Sequence, residues 1–315
     1  MATVGTSIPA ARRTVEAALR GKKSDVRGQV FKGSALLALL VSLAFLIILL
    51  WTILAGAMPT LRARGFDFVT SGTSSIASRA GVWQGLVGSL ILIGFVIVVA
   101  VPIGIAAAVY LQEYARDTWL NRTLTTTIRN LGGVPSIVYG ILGLVVFVKI
   151  LRPITGPDSA GRSYISGGLT LAVLVMPIVI LVTMEALRAV PASLREAAYG
   201  VGATRWEVIR SHVLPYAAPG VFTGVILSLA RAFGETAPLL LVGAVQGYLN
   251  QAPGNILEIL QGPYTALPTL VFAWSRIPGE EWKANAAAAI VVLLAVILMV
   301  NLVAIILRNR YERKW

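Results

Sequence analysis

The stretch VPASLREAAYGVGATRWEVIRSHVLPYAAPG, residues 190 to 220, joins two long apolar segments and is too regular to be a simple connection. Ser193 precedes Glu196 by three positions, the spacing of a capping box, and Leu194, Ala197 and Ala198 follow as helix formers. Gly200 and Gly202 then break that helix. A second short helix is expected over about 204 to 213, carrying Trp206, Val208, Ile209 and Val213, until Leu214 and Pro215 end it. Two short helices about a glycine hinge, held by apolar segments on either side, make a knob that another protein could grip.

Working outward, the composition says what surrounds the knob. Hydrophobic residues are 57% of 315 positions and charged residues 13%, with a mean hydropathy of +0.79. That is the balance of an integral membrane protein. Without cysteine there is no disulfide, thiolate metal site or thiol catalysis, and the single histidine, His212, cannot build a zinc site or a Ser-His-Asp triad. The net charge of +13 comes from short basic blocks beside apolar runs, where anionic membrane lipid is the simpler partner. No nucleic acid is expected, because the chain lacks a soluble basic face.

Six apolar segments, at roughly 34 to 57, 85 to 111, 131 to 148, 168 to 187, 217 to 245 and 286 to 307, reach or approach the ~20 residues that cross a bilayer. The first is too long for a signal peptide and reads as an uncleaved anchor despite the Ala55 and Ala57 pattern. The N-terminal arm, the 112 to 130 and 188 to 216 loops and the C-terminal tail hold 18 Lys and Arg, and the other loops hold eight. This asymmetry puts both termini in the cytoplasm. The chain divides into a basic arm, 1 to 32, and one all-α, six-span membrane domain, 33 to 315, without internal repeats. TALPTLVFAW, 265 to 274, is too short to span and is broken by Pro268, so it is expected at the membrane interface or against a partner.

SLARAFGETAPLLLVGA, 228 to 244, puts Arg231 and Glu235 inside the fifth span. Four residues apart on a continuous helix, they share a face with Ser228 one turn earlier. An arginine at mid-bilayer costs about 2.5 to 3.5 kcal/mol, so its presence needs a reason. One reading is an ion pair that only neutralises itself. The other is a water-accessible pathway, where the guanidinium fork matches an oxyanion bidentately and Glu235 competes for the same donors so that the anion can leave. Ser228, Arg231, Glu235 and Thr236 are the candidate pathway residues. Gly234 and Pro238 add a kink signal there.

Glu196-Ala197-Ala198, Gly202 six positions after the Glu, and Leu214-Pro215 resemble the EAA loop of ABC importer permeases. His212 stands where that family usually has Ile. RAFGETAPLL resembles the fifth-span motif of the PstA-type phosphate importer permeases; the sister PstC type usually has Met after the Thr, where this chain has Ala237. GGVPSIVYGILG, 132 to 143, and the segment 265 to 289 resemble the same family, so the likeness covers about 80 to 310.

The resemblance implies that Glu196, Ala197, Ala198, Gly202, Leu214 and Pro215 dock a cytoplasmic ATPase. It further implies a PstC partner around a shared pathway, a PstB ATPase dimer that holds ATP and magnesium, and an external phosphate-binding protein, PstS. It places the chain in the bacterial inner membrane, importing inorganic phosphate. No G-x-x-x-x-G-K-[ST] loop is present, so this chain is expected to bind no cofactor and to be a permease, not an enzyme. A permease for another oxyanion, or the sister phosphate permease, stays open. An ion-coupled secondary transporter would need no ATPase knob.

Overall fold

The protein is described by a computed structural model in which residues 26 to 245 and 255 to 311 are placed. Most of the basic arm, residues 1 to 25, lies outside the described residues. Residues up to Thr52 and residues from Ile53 onward form separate units. The opening helix, α1 (Val26–Arg64), begins in the first unit, where its Leu, Ile and Phe side chains are exposed.

The larger unit is built from helices alone among the described residues. After a turn at α2 (Asp67–Thr70), α3 (Trp83–Val109) runs into a π-helical turn, Tyr110–Tyr114. Then come α4 (Trp119–Gly132), α5 (Ser136–Gly143) with a π-helical extension Leu144–Ile150, and the short α6 (Arg152–Thr155). α7 (Tyr164–Arg188) leads to α8 (Ala192–Gly200) and α9 (Arg205–Val208). A π turn, Ile209–Val213, joins α9 to α10 (Leu214–Gly234), followed by α11 (Ala237–Val242). α12 (Ile256–Gln261), α13 (Leu267–Arg276) and α14 (Glu280–Tyr311) complete the chain.

α7 is central. It packs against α3 and α10 and also touches α4, α5 and α11. Leu92 and Val96 of α3, Leu171 and Val175 of α7, Leu229 and Phe233 of α10 and Leu239 of α11 share one buried cluster. The chain starts α7 with Ser163, whose hydroxyl accepts from Ser166 N–H at 3.3 Å, one of the otherwise unpaired donors of a helix start.

Among the described residues five helices are long and apolar enough to cross a membrane, and α4 with α5 and its extension makes a sixth only as a pair bent by 102°. The continuous span expected at 131 to 148 is therefore interrupted. Pro135 removes an N–H and forces the preceding residue out of helical geometry, so the helix stops at Gly132 and restarts at Ser136. Tyr139 ties the bend by donating its hydroxyl to the Leu131 carbonyl at 2.8 Å.

The 265 to 274 segment is also corrected. It lies inside this chain's own fold, as α13, with Leu267, Leu270 and Trp274 buried among residues of α3 and α14. Pro268 sits at the helix start, where its missing N–H costs nothing.

Candidate functional site

The membrane-length helical stretch that carries Arg231 is the least apolar of the five. It ends at Gly234. Glu235 is extended, with φ −73° and ψ 122°, and α11 begins two residues later. The continuous span expected at 217 to 245 is broken because Pro238 cannot donate and its ring would meet the carbonyl four residues back. Arg231 and Glu235 thus do not share a helix, yet they still meet, Nε to Oε1 at 3.5 Å.

The two side chains are unequally placed. Arg231 keeps 47% of its side chain exposed and Glu235 16%. The guanidinium is the more accessible of the two, which leaves part of it open to an anion while the acid engages Nε. Thr236 is half-buried beside them and its side chain caps nothing. Ser228 is not brought to that face. It is 1% exposed and donates to the Gly224 carbonyl at 2.8 Å, so its hydroxyl is spent inside the bundle although it lies one turn from Arg231.

What supports the break is a close approach between α5 and α11. A Cβ on Gly140 would lie 2.7 Å from Pro238 Cα and 2.8 Å from Leu241 Cδ1, so glycine is what lets the two interrupted helices touch. The sequence showed the glycines but not which backbone they admit.

The knob forms, with two differences. α8 takes Pro191 as its N-cap, and Ser193 makes no capping bond, so the expected box with Glu196 is absent. Proline at that position presets the entry geometry and leaves Ser193 inside the first turn. The capping box sits instead at the second helix, where Thr204 N–H donates to Glu207 Oε2 at 2.7 Å and the Thr204 hydroxyl accepts from Glu207 N–H. That T-x-x-E spacing is itself a capping-box signal in the sequence.

Gly202 adopts φ +84°, the left-handed conformation that reverses the chain between the helices. Leu214 and Pro215 do not end the second helix. The π turn 209 to 213 widens the hydrogen-bond register and lets the chain run on into α10, with Pro215 in the first turn of the new segment. Val208, Ile209 and Val213 are buried, with Ala198 against them, while Trp206 and Glu196 are exposed.

Sequence reasoning missed the anchor of this knob. Arg195 Nη2 pairs with Glu113 Oε1 at 2.7 Å, and Arg205 donates to the Glu113 carbonyl while lying 4.9 Å above the Tyr114 ring. A signal existed, since Glu113 is the first acidic residue after Asp67 and closes an apolar run.

A helical membrane body with a two-helix knob between α7 and α10 and an interrupted charged span defines a transporter permease of the ABC class. The membrane subunit of a bacterial ABC transporter involved in the import of alginate shares the fold, with a TM-score of 0.61 over 91% of this chain and 99% of that one, at 17% identity. The chain belongs to the family of binding-protein-dependent transport system inner membrane components, which matches residues 100 to 315. The phosphate transport system permease protein PstA 1 of Mycobacterium tuberculosis is 32% identical over 269 residues, 85% of this chain and 84% of its own length. The phosphate transport system permease protein PstC of Mesorhizobium japonicum is 32% identical over 261 residues, covering 77% and 79%.

Proposed function

We propose that this chain is the PstA-type permease subunit of an ATP-driven importer that carries inorganic phosphate into the cytoplasm. The observation that carries the reading is Arg231, a half-exposed guanidinium backed by Glu235 at a break in an apolar helix. A lone arginine in a low-dielectric site would hold a phosphate too firmly to release it, and the carboxylate 3.5 Å away weakens that grip. One arginine partly neutralised by an acid cannot balance a phosphate dianion. A second cationic group is therefore supplied by a sister subunit of the PstC type, across a shared pathway.

In this reading Glu196, Ala197, Ala198, Gly202, Leu214 and Pro215 form the contact with a PstB-type ATPase dimer, which binds ATP and magnesium. A PstS-type protein delivers phosphate from outside. Both termini face the cytoplasm of a bacterium, on the side that holds 18 of the Lys and Arg residues. The similarity to PstC permeases keeps the sister role as the second reading, and Ala237 after Thr236 favours the first. The deciding experiment is uptake of labelled phosphate in a strain lacking this chain, complemented with the wild type or with Arg231→Ala. Restored uptake by the wild type alone is expected; uptake of sulfate or molybdate in place of phosphate would refute the substrate.

A further inference from the structure

A cavity of about 410 Å³ opens where the turn after α3, the start of α4 and the end of α7 meet. Its wall carries four guanidinium groups, Arg116, Arg122, Arg129 and Arg188, against one carboxylate, Asp117. None of them takes part in the Arg231 pathway or in the knob's proposed docking residues.

The partners of these groups decide what the cavity can hold. Arg122 is committed, donating Nε and Nη2 to the two Asp117 oxygens at 2.6 and 2.5 Å. Those bonds hold the Asp117 carboxyl below its usual range, so it is charged at neutral pH. Arg188 donates to Gln112 and to Glu185, at 3.0 and 2.9 Å. Arg116 and Arg129 have no side-chain hydrogen bond or ion pair among the described residues. The hydroxyls of Thr125 and Thr126 donate back to α4 carbonyls at 2.9 Å each, so the arginines are the charged donors on offer.

α4 orients them. Arg122, Thr125 and Arg129 recur at helical spacing on the side that lines the cavity, while Leu120, Leu124 and Leu131 are exposed on the other. An excess of guanidinium forks over carboxylates selects a ligand with several anionic oxygens, and a phosphate group has the geometry for two forks at once. We propose that this cavity is a second anion site, distinct from Arg231, that binds a phosphate group, either inorganic phosphate or the headgroup of an anionic lipid. The proposal stands whether or not phosphate is the transported ion.

The test uses the full chain with its copurifying subunits in nanodiscs. In phosphatidylcholine discs, equilibrium dialysis of labelled inorganic phosphate is measured in an Arg231→Gln background, so the proposed pathway contributes nothing. In discs doped with phosphatidylglycerol, retained lipid is counted by native mass spectrometry. Arg116→Gln with Arg129→Gln is expected to weaken one of the two signals by at least about tenfold at an unchanged thermal midpoint, with exposed Arg62→Gln as the silent control. Loss in the first arm identifies inorganic phosphate, and loss in the second identifies the lipid headgroup. If the double variant fails to fold, either single replacement of these exposed, unpaired arginines gives the same readout. Absence of both signals, or signals the variants leave unchanged, overturns the proposal.

Discussion

Arg195 on α8 and Glu113 on the turn after α3 form an ion pair at 2.7 Å, with only 21% and 10% of their side chains exposed. The same guanidinium donates to the carbonyls of Leu187 and Val190, at 2.9 and 2.8 Å. One side chain therefore fastens the end of α7, the entry to α8 and the end of α3. Arg205 joins α9 to that turn through the Glu113 carbonyl.

Replacing Glu113 by Gln removes the anion from a largely buried arginine. Breaking a buried pair costs about 3 to 5 kcal/mol, but Arg195 is a fifth exposed and keeps two carbonyl acceptors, so about 1 to 3 kcal/mol is expected. Thermal unfolding of the purified complex should show Glu113→Gln and Arg195→Ala to be non-additive. Additivity within about 0.5 kcal/mol would show that the pair carries no coupling.

Gly202 separates a conformational role from a packing role. No atom lies within 4 Å of a Cβ placed there, so a larger residue meets no clash, only the penalty of φ +84°. Gly202→Asn, which tolerates the left-handed region, should behave nearly as wild type, while Gly202→Val should cost about 1 to 2 kcal/mol locally. The readout is the amount of ATPase that copurifies with the membrane subunits. Equal recovery with Asn and Val would remove the hinge from the coupling argument.

At Gly140 the order reverses, because space is what is scarce. Gly140→Val should force α5 from α11, at about 1 to 3 kcal/mol, and displace the break that holds Glu235. Gly132→Ala, whose Cβ would sit 3.9 Å from Leu181 Cδ1, should leave uptake and complex yield unchanged. Wild-type uptake by Gly140→Val at equal complex levels would detach the α5 contact from function.

The spans and the knob could be read from the sequence because both depend on local pattern. Apolar runs near 20 residues, a basic bias between them and glycines at 200 and 202 each act within a few positions. The failures are tertiary. Pro135 and Pro238 announced kinks, but whether a proline bends a helix or stops it depends on what receives the freed carbonyls, which lie on other elements. Ser228 looked available because helical phase alone does not say which side meets α7. Glu113 and Arg195, 82 positions apart, carry no sequence signal of each other.

Arg231 gives the most direct test of the pathway, because charge and shape can be varied separately. Arg231→Ala removes charge-assisted hydrogen bonds worth about 1.5 to 3 kcal/mol, so initial phosphate uptake should fall by about tenfold to a hundredfold at unchanged complex levels. The complex survives because nearly half of the side chain is exposed and little packing is lost. Arg231→Lys keeps a charge but loses the planar fork, and an intermediate rate is expected. Glu235→Gln acts in the opposite sense on binding, since it removes the competitor from the guanidinium: site occupancy should rise while turnover drops, as release becomes slow. Measuring retained labelled phosphate beside initial rate separates the two. If Arg231→Ala transports normally at equal complex levels, the ion pair only neutralises itself, and the anion path runs elsewhere.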